Sequence, residues 1–167
     1  MQHTFALEEG VIQNSIEVAV LIAQTFEFRK FNILRVFELG DEFGFLPHLR
    51  GEFRLLCLRL FLQNRQVAGH VFTVIAADTA RQHLTARGID VAGLERRLLA
   101  DPALRNIPEG AGPLQTAVNG FYRRNRQYVL SLAGPASSQD RQTLTMIGVY
   151  MGARVSMELS RARFAAR

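Results

Sequence analysis

The stretch Gly120-Phe121-Tyr122-Arg123-Arg124-Asn125-Arg126-Gln127-Tyr128 gathers the residue types that bind polyanions. Guanidinium groups engage phosphate oxygens, and aromatic rings stack on bases. On a helix these groups disperse. Arg123 and Arg126 fall about 60° apart, and Arg124 lies about 100° from Arg123 on its other side. Phe121 and Tyr122 share a stripe with Leu114, Val118 and Val129, which reads as a buried face. The stretch is therefore a core helix with a solvated basic face, a surface for nucleic acid or another polyanion, or a contact for an acidic protein. A second basic pair, Arg96-Arg97, follows Glu95 on a short helix, where cations cap or solvate the C-terminal turn. The binding reading gains if folding brings that pair beside Arg123 and Arg126.

Other reactive residue types lack productive spacing. Helical metal sites use His or carboxylate ligands three or four residues apart. His3, His48, His70 and His83 contain no such pair, so no metal and no cofactor is expected. Glu8-Glu9 and Asp41-Glu42 are adjacent, and neighbours on a helix do not face one another as an acid–base pair requires. They read as a helix first turn and a solvated helix end. Cys57, within Leu55-Leu56-Cys57-Leu58, reads as an inert buried thiol; Arg54 and Arg59 are its nearest cations. No Gly-x-Ser-x-Gly and no Walker-type glycine loop occurs, although a catalytic site assembled from distant residues would leave no such motif.

The most informative small pattern is Gly148-Val149-Tyr150-Met151-Gly152-Ala153-Arg154-Val155-Ser156. Gly148, Gly152 and Ser156 recur every four residues, which makes a smooth groove on a helix. Each mid-helix glycine costs about 1 kcal/mol relative to alanine, so close approach of another helix should offset it. The groove serves packing within one subunit or a self-association seam, with Met146, Met151 and Met157 as adaptable neighbours.

Helices must position these residues. Gln13, Glu17, Gln24, Glu27, Arg35, Glu38 and Glu42 fall within about 80° on a helical wheel. So do Glu52, Arg59, Gln63, Gln66, His70, Thr73 and Arg81, with a break or kink expected near Asn64 to Gly69. A hairpin across residues 53–77 is the competing reading. Breakers divide the rest. Gly88 ends the helix carrying Arg81 and Arg87. Asp90 caps a helix over Val91 to Leu99, and Asp101-Pro102 ends it. Asn106 to Pro113 is a loop, and Pro113 starts a helix running to about Ala133. Gly134-Pro135 closes that helix. Ser137 or Ser138 caps the last one, with Asp140 in its first turn, and it runs to about Arg163.

The expected fold is an all-α, single-domain bundle of about six or seven helices over residues 1–167, with a sub-boundary at 106–113. The composition agrees: 167 residues, 48% hydrophobic and 21% charged, suit one folded core rather than a disordered chain. A formal net charge of +5, with Lys30 the lone lysine, reflects either coding bias or selection for guanidinium. A single cysteine, Met1 to Gly10 without a basic leader, and apolar runs too short to span a bilayer point to a cytoplasmic protein with no transmembrane segment. The expected function is a non-enzymatic protein–protein interaction module, an adaptor, chaperone-like or structural subunit, self-associating through Gly148, Gly152 and Ser156. The alternative is a nucleic-acid-binding accessory or regulatory protein using Arg123, Arg124, Arg126, Arg96 and Arg97.

Overall fold

Local capping chemistry sets most of the helix ends. A computed structural model describes residues 10–17, 19–20, 65–135 and 138–166, with backbone only for 65–72, 111 and 164. All regular structure among these residues is helical, and none of them lies in a strand. None of the described helices is long and apolar enough to cross a membrane. The segment α1 covers residues 10–17 and 19–20. Gln24, Glu27, Arg35, Glu38 and Glu42 of the first polar stripe and Glu52, Arg59 and Gln63 of the second, with Cys57, His3, His48 and the two acidic pairs, lie outside the described residues.

The helix α2 spans Arg65–Ala86. It runs unbroken through Gly69, so the expected kink over 64–69 is not found in its described part, and residues 65–77 are not a hairpin strand. Thr73, assigned to the solvated stripe, is buried. Its methyl group makes it tolerable on a packed face. The end of α2 is a Schellman turn. Gly88 sits at φ +74°, its N–H donates to the Thr85 carbonyl at 2.9 Å, and the Ile89 N–H donates to Leu84 at 3.0 Å.

Asp90 then caps α3, Val91–Ala100, by accepting the Gly93 N–H at 2.8 Å. Val91, Leu94 and Leu98 recur at helical spacing and are buried. Asp101 ends α3 and caps the 3-10 turn Pro102–Leu104 through the Ala103 N–H at 2.9 Å. The helix α4, Ala111–Arg124, carries Pro113 in its first turn, and α5 spans Arg126–Leu132. A single helix was expected here. It breaks at Asn125, whose side-chain amide donates to the Phe121 carbonyl at 3.0 Å and whose own N–H donates to Phe121 and Tyr122. An asparagine that satisfies nearby backbone in this way competes with the helical ladder. After Gly134, at φ +86°, the Gln139 amide donates to the Leu130 and Gly134 carbonyls at 3.0 and 2.8 Å and closes α5.

The last helix, α6, spans Arg141–Ala165, two residues beyond the expected Arg163. Its cap is Asp140 rather than Ser137 or Ser138. The Asp140 carboxylate takes the Thr143 N–H at 2.8 Å and the Thr143 hydroxyl at 2.9 Å. Ser138 lies too early in the chain, its hydroxyl and N–H both donating to the Pro135 carbonyl, and Asp140 stands immediately before the first helical residue. Residues 143–153 of α6 are buried without interruption, as befits a helix packed on several sides. The most extensive helix pairing lies between α2 and α6; α3 and α4 cover other parts of α6. One hydrophobic cluster joins all of them, with Phe121, Tyr122 and Tyr150 its bulkiest members.

Candidate interaction surfaces

The glycine groove is filled from within the chain. A Cβ built on Gly148 would stand 2.7 Å from the Ile12 carbonyl oxygen and 2.7 Å from the Ser15 Cβ. One built on Gly152 would stand 2.9 Å from the Ala19 Cβ and 3.2 Å from the Ile16 carbonyl oxygen. Ser156 is buried and donates to the Gly152 carbonyl at 2.9 Å. The apolar residues Ile12, Ile16, Ala19 and Val20 of α1 recur at helical spacing and supply the matching ridge. The groove therefore serves intrachain packing. The expected self-association seam at Gly148, Gly152 and Ser156 has no free surface, because α1 already occupies it.

A polar network crosses the opposite side of α6. Glu95 of α3 accepts the Tyr150 hydroxyl at 2.7 Å and Arg81 of α2 at 2.7 Å on one oxygen, and Arg154 Nε at 2.8 Å on the other. Arg154 also donates to Glu158 at 3.1 Å. Arg81 lies 5.9 Å over the Tyr150 ring. Burial pushes the Glu95 carboxyl up, but the Tyr150 hydrogen bond, Arg154 and Arg81 together hold it below its ordinary value. Burial, and then the hydrogen bond to Glu95, raise the Tyr150 hydroxyl. Both Glu95 oxygens are thus committed, and three helices are tied together by charge-assisted bonds. The sequence reading missed this set. The spacing of Tyr150, Arg154 and Glu158 at four-residue steps was its visible trace, but nothing local to Glu95 pointed to them.

The two basic segments meet along one edge. The Arg97 guanidinium stacks 3.8 Å from the centroid of the Tyr128 ring, and Arg124 pairs with Asp101 at 2.7 Å. Asp101 lies four residues after Arg97, and Tyr128 four after Arg124. The two contacts therefore pair the segments in antiparallel order. Tyr128 reaches α3 a second time, its hydroxyl lying 3.1 Å from where a Gly93 Cβ would stand. Arg96 and Arg123 are exposed on the flanks. Arg126 departs from the expected pattern. It is half-buried past the Asn125 break, with its Nε shielded from solvent, so it does not extend the face of Arg123. Phe121, Tyr122, Leu114, Val118 and Val129 form the buried stripe. Burial raises the Asp101 carboxyl, but Arg124 and the Ala103 N–H outweigh it and leave the carboxyl lowered.

An apolar notch of about 320 Å³ opens between α3, the 3-10 turn and α6. Leu98, Leu99, Leu104, Val155, Leu159 and Ala162 line it, with Arg105 and Glu158 at the polar rim. Glu158 is already engaged by Arg154 and, at 3.9 Å, by Arg161. Exposed Arg105 therefore gives the mouth a positive character. Among the described residues, no three His, Cys, Asp or Glu side chains converge as metal ligands would. No family model, curated protein or solved structure compared with this chain matches it.

Proposed function

We propose that the chain is a helical protein–protein interaction module, of adaptor rather than enzymatic type, that seats an apolar side chain of its partner in the notch between α3 and α6. The observation that carries this reading is the notch itself: an apolar floor with Arg105 and the already paired Glu158 at its rim. If each methylene-sized group takes about the 30 Å³ of a liquid water, the notch holds roughly ten such groups. One leucine or phenylalanine with part of a neighbour fits that space. Burying such a side chain contributes about 1.5–3 kcal/mol, enough to anchor a contact with a surrounding polar rim. The free charge of Arg105 suits a partner helix with an aspartate or glutamate beside its apolar anchor. Glu95, the most enclosed carboxylate of the polar network, already has both oxygens engaged by the protein itself, which favours a structural role for that network. Self-association through Gly148, Gly152 and Ser156 is not part of this reading, since that groove holds α1.

The test is copurification of the full chain from its native host after photo-cross-linking from position 103, which is exposed on the 3-10 turn beside the notch. Wild type should capture one partner reproducibly. Leu99→Arg and Ala162→Trp alter the half-exposed wall and the exposed rim, and each should weaken that capture about 10- to 100-fold while leaving the helical spectrum intact. Undiminished capture by both folded variants, or no captured protein at all, would remove the notch from the account.

A further inference from the structure

The antiparallel edge of α3 against α4 and α5 gathers four exposed arginines, Arg96, Arg97, Arg123 and Arg124. Its central feature is a guanidinium held flat by a ring beneath it: Arg97 lies 3.8 Å from the Tyr128 centroid, and Arg97 is exposed. The inner face of that guanidinium is covered and its outer face is open. Along the same edge, Arg124 is held by Asp101 at 2.7 Å, with its Nη1 3.2 Å from where a Gly120 Cβ would stand. Its side chain is still 52% exposed. A guanidinium carries five N–H donors, and a single Arg124 nitrogen is spent on Asp101, so the group keeps outward donors in a fixed orientation. Asp101 has both oxygens engaged, one by Arg124 and the other by the Ala103 N–H. Arg96 and Arg123 flank the pair and are exposed.

We propose that this edge binds single-stranded nucleic acid, with a base stacked on the outer face of Arg97 and phosphates engaged by Arg96, Arg123 and Arg124. Arginine planes and aromatic rings are the platforms on which unpaired bases stack, and forked guanidinium donors match phosphate oxygens. A peptide of aspartate and glutamate alone would use the charges but has no flat ring to cover Arg97. A duplex keeps its bases stacked internally, so it would gain the phosphate contacts alone. This site shares no residue with the notch, and either can fail without the other.

The test is fluorescence anisotropy of the full chain with a labelled oligothymidylate of about 20 nucleotides, the length being sufficient for a typical single-strand site. Three phosphate contacts on a single strand predict an affinity loss of about 20-fold between roughly 50 and 200 mM salt. Arg96→Ala with Arg123→Ala should cut that salt effect to about 3-fold. Both residues are exposed and make no hydrogen bond or ion pair with another described side chain, so the variant should fold. Arg97→Lys keeps the charge but loses the plane, and should weaken binding about 5- to 100-fold with the salt dependence retained. A duplex of equal length and poly-glutamate should both bind more weakly than the single strand. The proposal is overturned by absent binding at low salt, by an unchanged salt effect in the folded double variant, or by full affinity in Arg97→Lys. Duplex or poly-glutamate binding as tight as the single strand would also overturn it, by assigning the edge to another partner.

Discussion

Replacing Gly148 by alanine tests whether α1 occupies the groove on α6. Taken alone, the change should help, because alanine is favoured over glycine in a helix interior by about 1 kcal/mol. Against this, the new methyl would stand 2.7 Å from the Ile12 carbonyl oxygen and 2.7 Å from the Ser15 Cβ. The oxygen belongs to the backbone and cannot rotate aside, so α1 as a whole must shift. Overpacking of this kind costs about 1–3 kcal/mol. The balance is a loss of up to about 2 kcal/mol. Gly148→Leu cannot be absorbed by such a shift. It should expel α1 and expose Ile12, Ile16 and Val20, each worth about 1.5–3 kcal/mol when buried. The control is Gly112→Ala at the start of α4, where nothing lies within 4 Å of the new Cβ. It should raise stability by up to about 1 kcal/mol. Urea unfolding followed by far-ultraviolet circular dichroism measures all three. Gly148→Leu should also lower the dependence on urea, since a native state with α1 undocked exposes less new surface on unfolding. Light scattering should give each folded variant the same mass as wild type. If Gly148→Ala instead tracked Gly112→Ala upward, the groove would be empty of α1 and the packing argument would be wrong.

Acid should weaken the fold through Glu95, whose carboxyl is lowered from 4.5 by Tyr150, Arg154 and Arg81 despite the opposing effect of burial. Its contribution is complete above pH 4.5 and is lost as pH falls through the lower folded value. Tyr150 acts at the other end: raised above 10.0, it contributes fully below that pH and loses its effect as pH climbs through the higher folded value. Glu95→Gln should flatten the acid limb of a melting-temperature profile and cost about 2–3 kcal/mol near neutrality, by removing a charged acceptor from three donors; an acid limb as steep as wild type would contradict the network. Gly93→Ala should cost about 1–2 kcal/mol, because its methyl would lie 2.2 Å from Asp90 Oδ2 and displace the cap of α3. Equilibrium unfolding would detect that cost, and unchanged stability would mean that Asp90 does not cap the helix as drawn.

Local stereochemistry made much of the second half legible from sequence. Gly88, Asp90, Asp101-Pro102, Pro113 and Gly134-Pro135 mark helix ends that the structure reproduces, because a positive φ, a missing N–H or a capping carboxylate acts within a few residues. The misses at this level were also short-ranged: Asn125 took over the Phe121 carbonyl, and Asp140 out-competed Ser138 as a cap. The spacing of Gly148, Gly152 and Ser156 likewise announced a close helix contact, but not which helix would make it. Only the tertiary structure decided that α1 fills the groove, that Thr73 turns inward, and that Arg97 and Arg124 share one edge. It alone joined Arg81, Glu95 and Tyr150, which lie 14 and 55 residues apart in successive steps. Helical periodicity reports which face of a helix is apolar or charged; the partner of that face depends on the shapes and charges of helices far away in sequence, and is settled when they pack.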